Sequence, residues 1–446
     1  MDEVEILKSI KNSISSLKAF IEKKLDNKDM FKNNEKYLSK KLSKKHTILI
    51  PHISYMHDRL ISHAFNCSGY SVKILPRITL DGFAQDSDVK KEGNCFLNSI
   101  IVSQILSVLK SKENENGKIS VMLTQVEGIC ERKGFIDYLS KNLKKAGFEG
   151  VPIITLDIYN LNRQIGFRLA ATQFKRIITA FMYSDLLKMM DLRVRPYIKS
   201  NDKDAFMFLL ELWIKRCEKS LEKVDFKDYE NDVFEMTEDF SAFPIDKNLI
   251  KQRLGVVGNS FAVERLTNDD SYNNNLEVVS SNLSDFFFYN DYNKALLNNS
   301  KNISKLNRMN LNYISQMLKK FRDEVSHNLE RNERFDDIID VKERVKEVVE
   351  TFSIDVNNDQ AILNLIQVIG LIEQGVEKIV LYRCSDCFKG TLGKKIIKNI
   401  KAKYKDVDIL QVEYDKSFNL KEEMHMLGSS FIDDAEKSVM QNITSQ

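Results

Sequence analysis

This sequence predicts an α/β fold: two parallel-sheet domains of flavodoxin or Rossmann type, joined by a helical segment and preceded by an N-terminal helical extension. The first observation behind this is a run of short, β-branched apolar stretches separated by helical periods from His46 to Leu156. That alternation is what a parallel sheet covered on both faces requires. The second is its return between Arg253 and Val412. The third is the stretch 163–225 between them, which carries apolar positions at helical spacing and no strand signal.

Residues 1–45 form the extension. Leu7, Ile10, Ile14, Leu17 and Ile21 recur at steps of three and four, a narrow apolar stripe beside a lysine-rich polar face. The expectation is a helix docked on the body of the protein or on a second copy. The first α/β domain spans 46–162, with strands at 47–50, 71–75, 119–124 and 151–156 and helices at 56–65, after Cys95, and at 134–146. A helical linker follows over 163–250, including the stretch from Phe206 to Leu221 with Trp213 and Cys217. Its acid-rich end, Asp225 to Pro244, reads as a solvated loop. The second α/β domain spans 251–437. It opens with Arg253 to Gly258, and Phe286 to Tyr289 reads as a further strand. Helices at 304–328, 335–351 and 359–374 lead to a strand at 377–382, a helix at 391–403 and a strand at 407–412. Residues 438–446 are a tail.

Composition narrows the function. Of the 446 residues 43% are hydrophobic, enough for two or three cored domains. A net charge of +3 gives no basis for nucleic-acid binding. No apolar run reaches the ~18 residues of a membrane span, and the acidic start Met1-Asp2-Glu3 lacks the order of a secretory signal. A cytoplasmic protein is expected. There, six cysteines point to free thiols or metal ligands rather than a bridged framework. No phosphate-binding loop occurs, since Gly390-Thr391-Leu392-Gly393-Lys394 is too short for one. Any ATP chemistry would therefore belong to another chain.

Three cysteines stand where an apolar run ends and a helix begins. Cys95 opens the helical stretch from Phe96, Cys130 follows the strand 119–124, and Cys387 follows the strand 377–382. Ligands of open α/β sheets gather at such positions, and a thiol at a helix N-terminus is shifted toward the metal-binding thiolate. One iron–sulfur cluster on three thiolates would account for the arrangement. Ordinary burial of small side chains would as well. Cys384 forms a C-x-x-C with Cys387, open to a redox dithiol, a corner of a zinc site or a fourth cluster ligand. Cys67 and Cys217 read as packing residues, and His52, His57 and His63 as solvent-facing or helix-end histidines. Arg132 and Lys389, each within two residues of a candidate ligand, are placed to offset a cluster's negative charge.

The motifs Gly93-Asn94-Cys95-Phe96, Glu127-Gly128-Ile129-Cys130-Glu131-Arg132, Arg195-Pro196-Tyr197 and Cys387-Phe388-Lys389-Gly390-Thr391 come in this order, followed by Tyr414-Asp415. From Thr47 to Phe431 the chain resembles the component D-type iron–sulfur proteins related to 2-hydroxyacyl-CoA dehydratase subunits. The likeness is to the C-terminal regions of large CoA-enzyme activases in particular, with double-cubane-cluster proteins among the relatives. The resemblance implies two α/β domains holding a cluster (4Fe–4S or double cubane) through Cys95, Cys130 and Cys387. It further implies a low-potential electron delivered by a separate ATP-hydrolysing activator, and a homo- or hetero-dimer. The activity would be that of a dehydratase-like lyase subunit or of an ATP-coupled reductase component. Family prolines are replaced by Leu97, Ile129 and Lys389, and a family carboxylate is missing from Gly258-Asn259-Ser260-Phe261. The alternative these departures imply is a catalytically degenerate scaffold or assembly subunit that keeps the fold.

Overall fold

The computed structural model describes residues 46–76, 96–111, 118–124, 132–156, 171–258, 276–298, 305–352, 354, 359–384 and 392–414. The extension 1–45 and the tail 438–446 lie outside the described residues.

The first unit is a four-stranded parallel sheet of order β2-β1-β3-β4, built from β1 (Thr47–Ile50), β2 (Ser71–Ile74), β3 (Ile119–Thr124) and β4 (Ile153–Leu156). Helix α1 (Tyr55–Cys67) joins β1 to β2, α2 (Phe96–Lys110) precedes β3, and α3 (Arg132–Lys145) joins β3 to β4. Because β2 lies on one side of β1 and β3 on the other, the strand order reverses between β1 and β3. That is the switch point at whose carboxyl end such sheets bind ligands.

Three helices follow: α4 (Ala171–Val194), α5 (Lys203–Lys223) and α6 (Phe226–Ala242). The last of these corrects the expected loop over 225–244. Tyr229, Val233, Met236 and Phe240 recur at helical spacing and are buried, while Asp225 caps the start by accepting a hydrogen bond from the Lys227 amide at 2.8 Å. Most of the acids face outward on an amphipathic helix, while Asp232 is buried and accepts from Tyr183, Arg216 and Ser220.

The second unit repeats the first sheet's order as β6-β5-β7-β8, from β5 (Gln252–Gly258), β6 (Leu276–Ser280), β7 (Lys378–Cys384) and β8 (Asp408–Tyr414), all parallel. Its switch point falls between β5 and β7. Helices α7 (Asp285–Asn298), α8 (Lys305–Glu330), α9 (Val341–Phe352) and α10 (Asp359–Glu373) lie between β6 and β7, and α11 (Lys394–Lys403) lies between β7 and β8. Phe286 to Tyr289 are thus the first turn of α7, not a strand. Gly258, at the carboxyl end of β5, holds φ at +129°, and a Cβ there would strike the Tyr382 carbonyl of β7. Only glycine lets the two central strands stay paired to that point.

Alternation along the strands assigns the faces. Ile48, Ile50, Ile379 and Leu381 join one large apolar cluster with α1, α4, α5 and α6. Leu49, Val121, Leu254, Val256 and Val380 point the other way, into a second cluster with α2 and α3. Helix α4 runs through the middle, and every residue from Ile177 to Lys188 is buried. Such a helix has no solvent face to keep polar. It packs against α1, α5, α6, α8 and β6.

Candidate functional site

Helix α4 fixes how the two sheets face each other. Its first half runs antiparallel to α1: the Gln173 Nε2 donates to the Ser68 carbonyl at 3.0 Å, and the Arg176 guanidinium to Ser68 Oγ at 3.1 Å, both at the end of α1. Ten residues on, Ser184 and Asp185 reach the start of α1, where His57 Nε2 donates to Asp185 Oδ1 at 3.1 Å. The same carboxylate accepts from the backbone amides of Leu283 (3.0 Å) and Ser284 (2.7 Å), immediately before α7. In parallel α/β units, the helix after a strand starts at the strand's carboxyl edge. Asp185 therefore touches the carboxyl edges of both sheets at once. The second half of α4 then descends β6 to its amino end, where Arg193 pairs with Glu277.

The cluster at this seam is polar and closed to water. Ser54 is the N-cap of α1, and its Oγ lies 2.8 Å from His57 Nδ1. With the ring hydrogen on Nε2, His57 serves Asp185 while Ser54 donates to Nδ1. The order Ser–His–Asp invites comparison with a hydrolytic triad. Ser54, His57 and Asp185 are all buried, at 3%, 0% and 4% exposure, so no substrate reaches them. The group is a helix-capping relay, and His57, expected as a solvent-facing or helix-end histidine, stands in the first turn of α1 and is fully buried. Burial opposes the charge on Asp185, but hydrogen bonds from His57 and Ser284 outweigh it and hold its carboxyl below the usual range. Asp285 next door goes the other way. Burial, with the Asp185 charge beside it, pushes its carboxyl up to about 8 against a 3.2 Å hydrogen bond from Gln367 Nε2.

The sequence-predicted ligands bear on the same edges through their neighbours. Cys95, Cys130 and Cys387 lie outside the described residues, as do Glu131 and Lys389. Cys95 immediately precedes Phe96, the first residue of α2; Cys130 belongs to 125–131, between the carboxyl end of β3 and α3; Cys387 belongs to 385–391, between the carboxyl end of β7 and α11. Strands β3 and β7 each border a switch point. Cys384 is the last residue of β7, in register with Tyr414 of β8. Arg132 is the first residue of α3.

Of the remaining thiols, Cys217 is a packing residue, as expected. Cys217 is fully buried and burial pushes its thiol well up; Cys67 is half-buried, 3.3 Å from His63 Nε2, and burial raises it too. Neither is a thiolate in waiting. Among the described residues no group of three or more His, Cys, Asp or Glu side chains is placed to hold a metal ion, and no helix is long and apolar enough to cross a membrane.

Sequence reasoning missed the Asp185 seam. The one available signal was an acid inside an otherwise apolar helix, Tyr183-Ser184-Asp185-Leu186-Leu187, where an unpaired charge would be prohibitive. Comparison of the chain with family models, with curated proteins and with solved structures gives no match.

Proposed function

We propose that this chain is a cytoplasmic iron–sulfur electron-transfer protein similar to the component D-type proteins, taking low-potential electrons from a separate ATP-hydrolysing activator. The observation that carries the reading is topological. Two sheets of identical strand order have their carboxyl edges joined through Asp185, and the segments bearing Cys130 and Cys387 leave strands beside the two switch points. Cys95 adjoins the start of α2. Three thiols make the donor set a cluster takes, with Cys384 available as a fourth. When bound, the cluster would supply one-electron chemistry. The chain's own part is to hold it between the edges, limit water, and offset its charge with Arg132 and Lys389.

The drift of flanking residues to Leu97, Ile129 and Lys389 supports a second reading, a scaffold that keeps the fold without the cluster. Purification without oxygen separates the two. The cluster reading expects brown protein absorbing near ~400 nm with about four or more irons per chain, and loss of both on Cys95→Ala, Cys130→Ala or Cys387→Ala. Iron-free, colourless protein after anaerobic reconstitution would leave the scaffold. Iron retained in Cys384→Ala would rule out an essential fourth ligand there.

A further inference from the structure

We propose that Asp185 and Asp285 form a pH-sensitive latch between the two sheets: with Asp285 protonated the seam is closed, and its ionisation loosens the hold of Asp185 on the start of α7. This goes beyond the cluster reading and does not depend on it.

The geometry is that of two acids with one charge. Asp185 reaches from α4 into the N-terminus of α7, and Asp285 is the first residue of that helix. Both are buried, at 4% and 2% exposure. The groups facing Asp285 are few. Asp185, backed by His57 of α1, comes from α4; Gln367 comes from α10; Lys188 sits one turn further along α4. Helices α8 and α9 meet α7 further on, where Ser315 donates to Asp291 at 2.7 Å and Tyr292 feels Glu350. Asp185 already takes hydrogen bonds from His57, the Leu283 and Ser284 amides and the Ser284 side chain. A second buried anion beside it has the Gln367 side chain, the Asn282 backbone and its own helix start to offset it.

Linkage sets the direction. Asp285 titrates at about 8 in the closed seam, well above a free carboxyl. Its protonated form therefore contributes closure that is complete below the free value and is lost as pH rises through about 8. An open seam exposes the carboxyl and lets it ionise early.

Amide hydrogen exchange on the full chain reads this directly, corrected for the intrinsic rate of each amide. Protection of the Leu283 and Ser284 amides should fall about fifty-fold between about pH 6 and about pH 8, then level off. Amides in the centre of β5 and β7 should keep theirs. Asp285→Asn should abolish the fall. Gln367→Met removes the one side-chain donor that favours ionised Asp285, and should move the fall to higher pH. If Asp285→Asn does not fold, the Gln367→Met shift alone decides. An identical pH profile in wild type and either folded variant, or loss of β5 and β7 protection in step with Leu283, would overturn the latch.

Discussion

Two buried carboxylates mark the two ends of the contact between α4 and the second sheet, and they are held in opposite ways. Glu277, 1% exposed at the amino end of β6, is gripped by the guanidinium groups of Arg193 and Arg253 and accepts the Tyr197 hydroxyl at 2.6 Å. Arg253 goes on to Asp336 and the Gln374 carbonyl, tying the strand to the segments flanking α9 and α10. Asp185, at the carboxyl end, is held by an imidazole, two backbone amides and the Ser284 side chain, with a second acid beside it. Guanidinium does not titrate in proteins, so the amino-edge hub is a fixed joint. The carboxyl-edge seam instead includes Asp285, whose carboxyl is pushed up to about 8 by burial. One helix thus carries a rigid fastening at the edge far from the candidate site and an adjustable one at the edge where that site would form.

The comparison is broken most forcefully at the fixed end. Glu277→Ala leaves two guanidinium groups facing each other at a buried position, and should cost about 3–5 kcal/mol, as removal of one member of a buried ion pair does. Urea unfolding should show that loss unchanged between about pH 6 and about pH 8. A loss below about 1 kcal/mol would mean that water replaces the pair. Asp185→Asn should cost less, about 2 kcal/mol, because charge-assisted bonds become neutral ones while the helix starts stay capped. Its deficit should shrink as pH rises, since Asp285 then ionises without an anion beside it. A deficit as flat as that of Glu277→Ala would erase the contrast between the two ends.

Much of the fold was legible because parallel strands buried on both faces leave an unbroken apolar run. Thr47 to Ile50 and Ile119 to Thr124 fall where the sequence sets them, and the strands at 71–75, 151–156, 377–382 and 407–412 lie within two residues of theirs. Strand β6 was missed because it is only five residues, with Glu277 in second place. That acid is legible only beside Arg193 and Arg253, far away in sequence. Helices α6 and α7 were misread for related reasons. In α6 the acids masked the spacing of Tyr229, Val233, Met236 and Phe240; in α7 the aromatic run has strand propensity that tertiary contact overrides. Phe287 packs edge-on against Phe181 of α4, with ring centroids 5.0 Å apart, and Asp185 caps the helix start. At the candidate site, the sequence offered the thiols but not the seam on the same sheet edges, a single carboxylate, Asp185, on a helix that otherwise looks like core.

The most direct measurement of the central claim is thiol proximity in the cluster-free chain. A short bis-maleimide, followed by peptide mass spectrometry, should join Cys130 to Cys387 across the two sheets, and Cys95 to one of them. Cross-links confined to the neighbours Cys384 and Cys387 would show that the two carboxyl edges do not bring these sulfurs together, and the redox reading would fall.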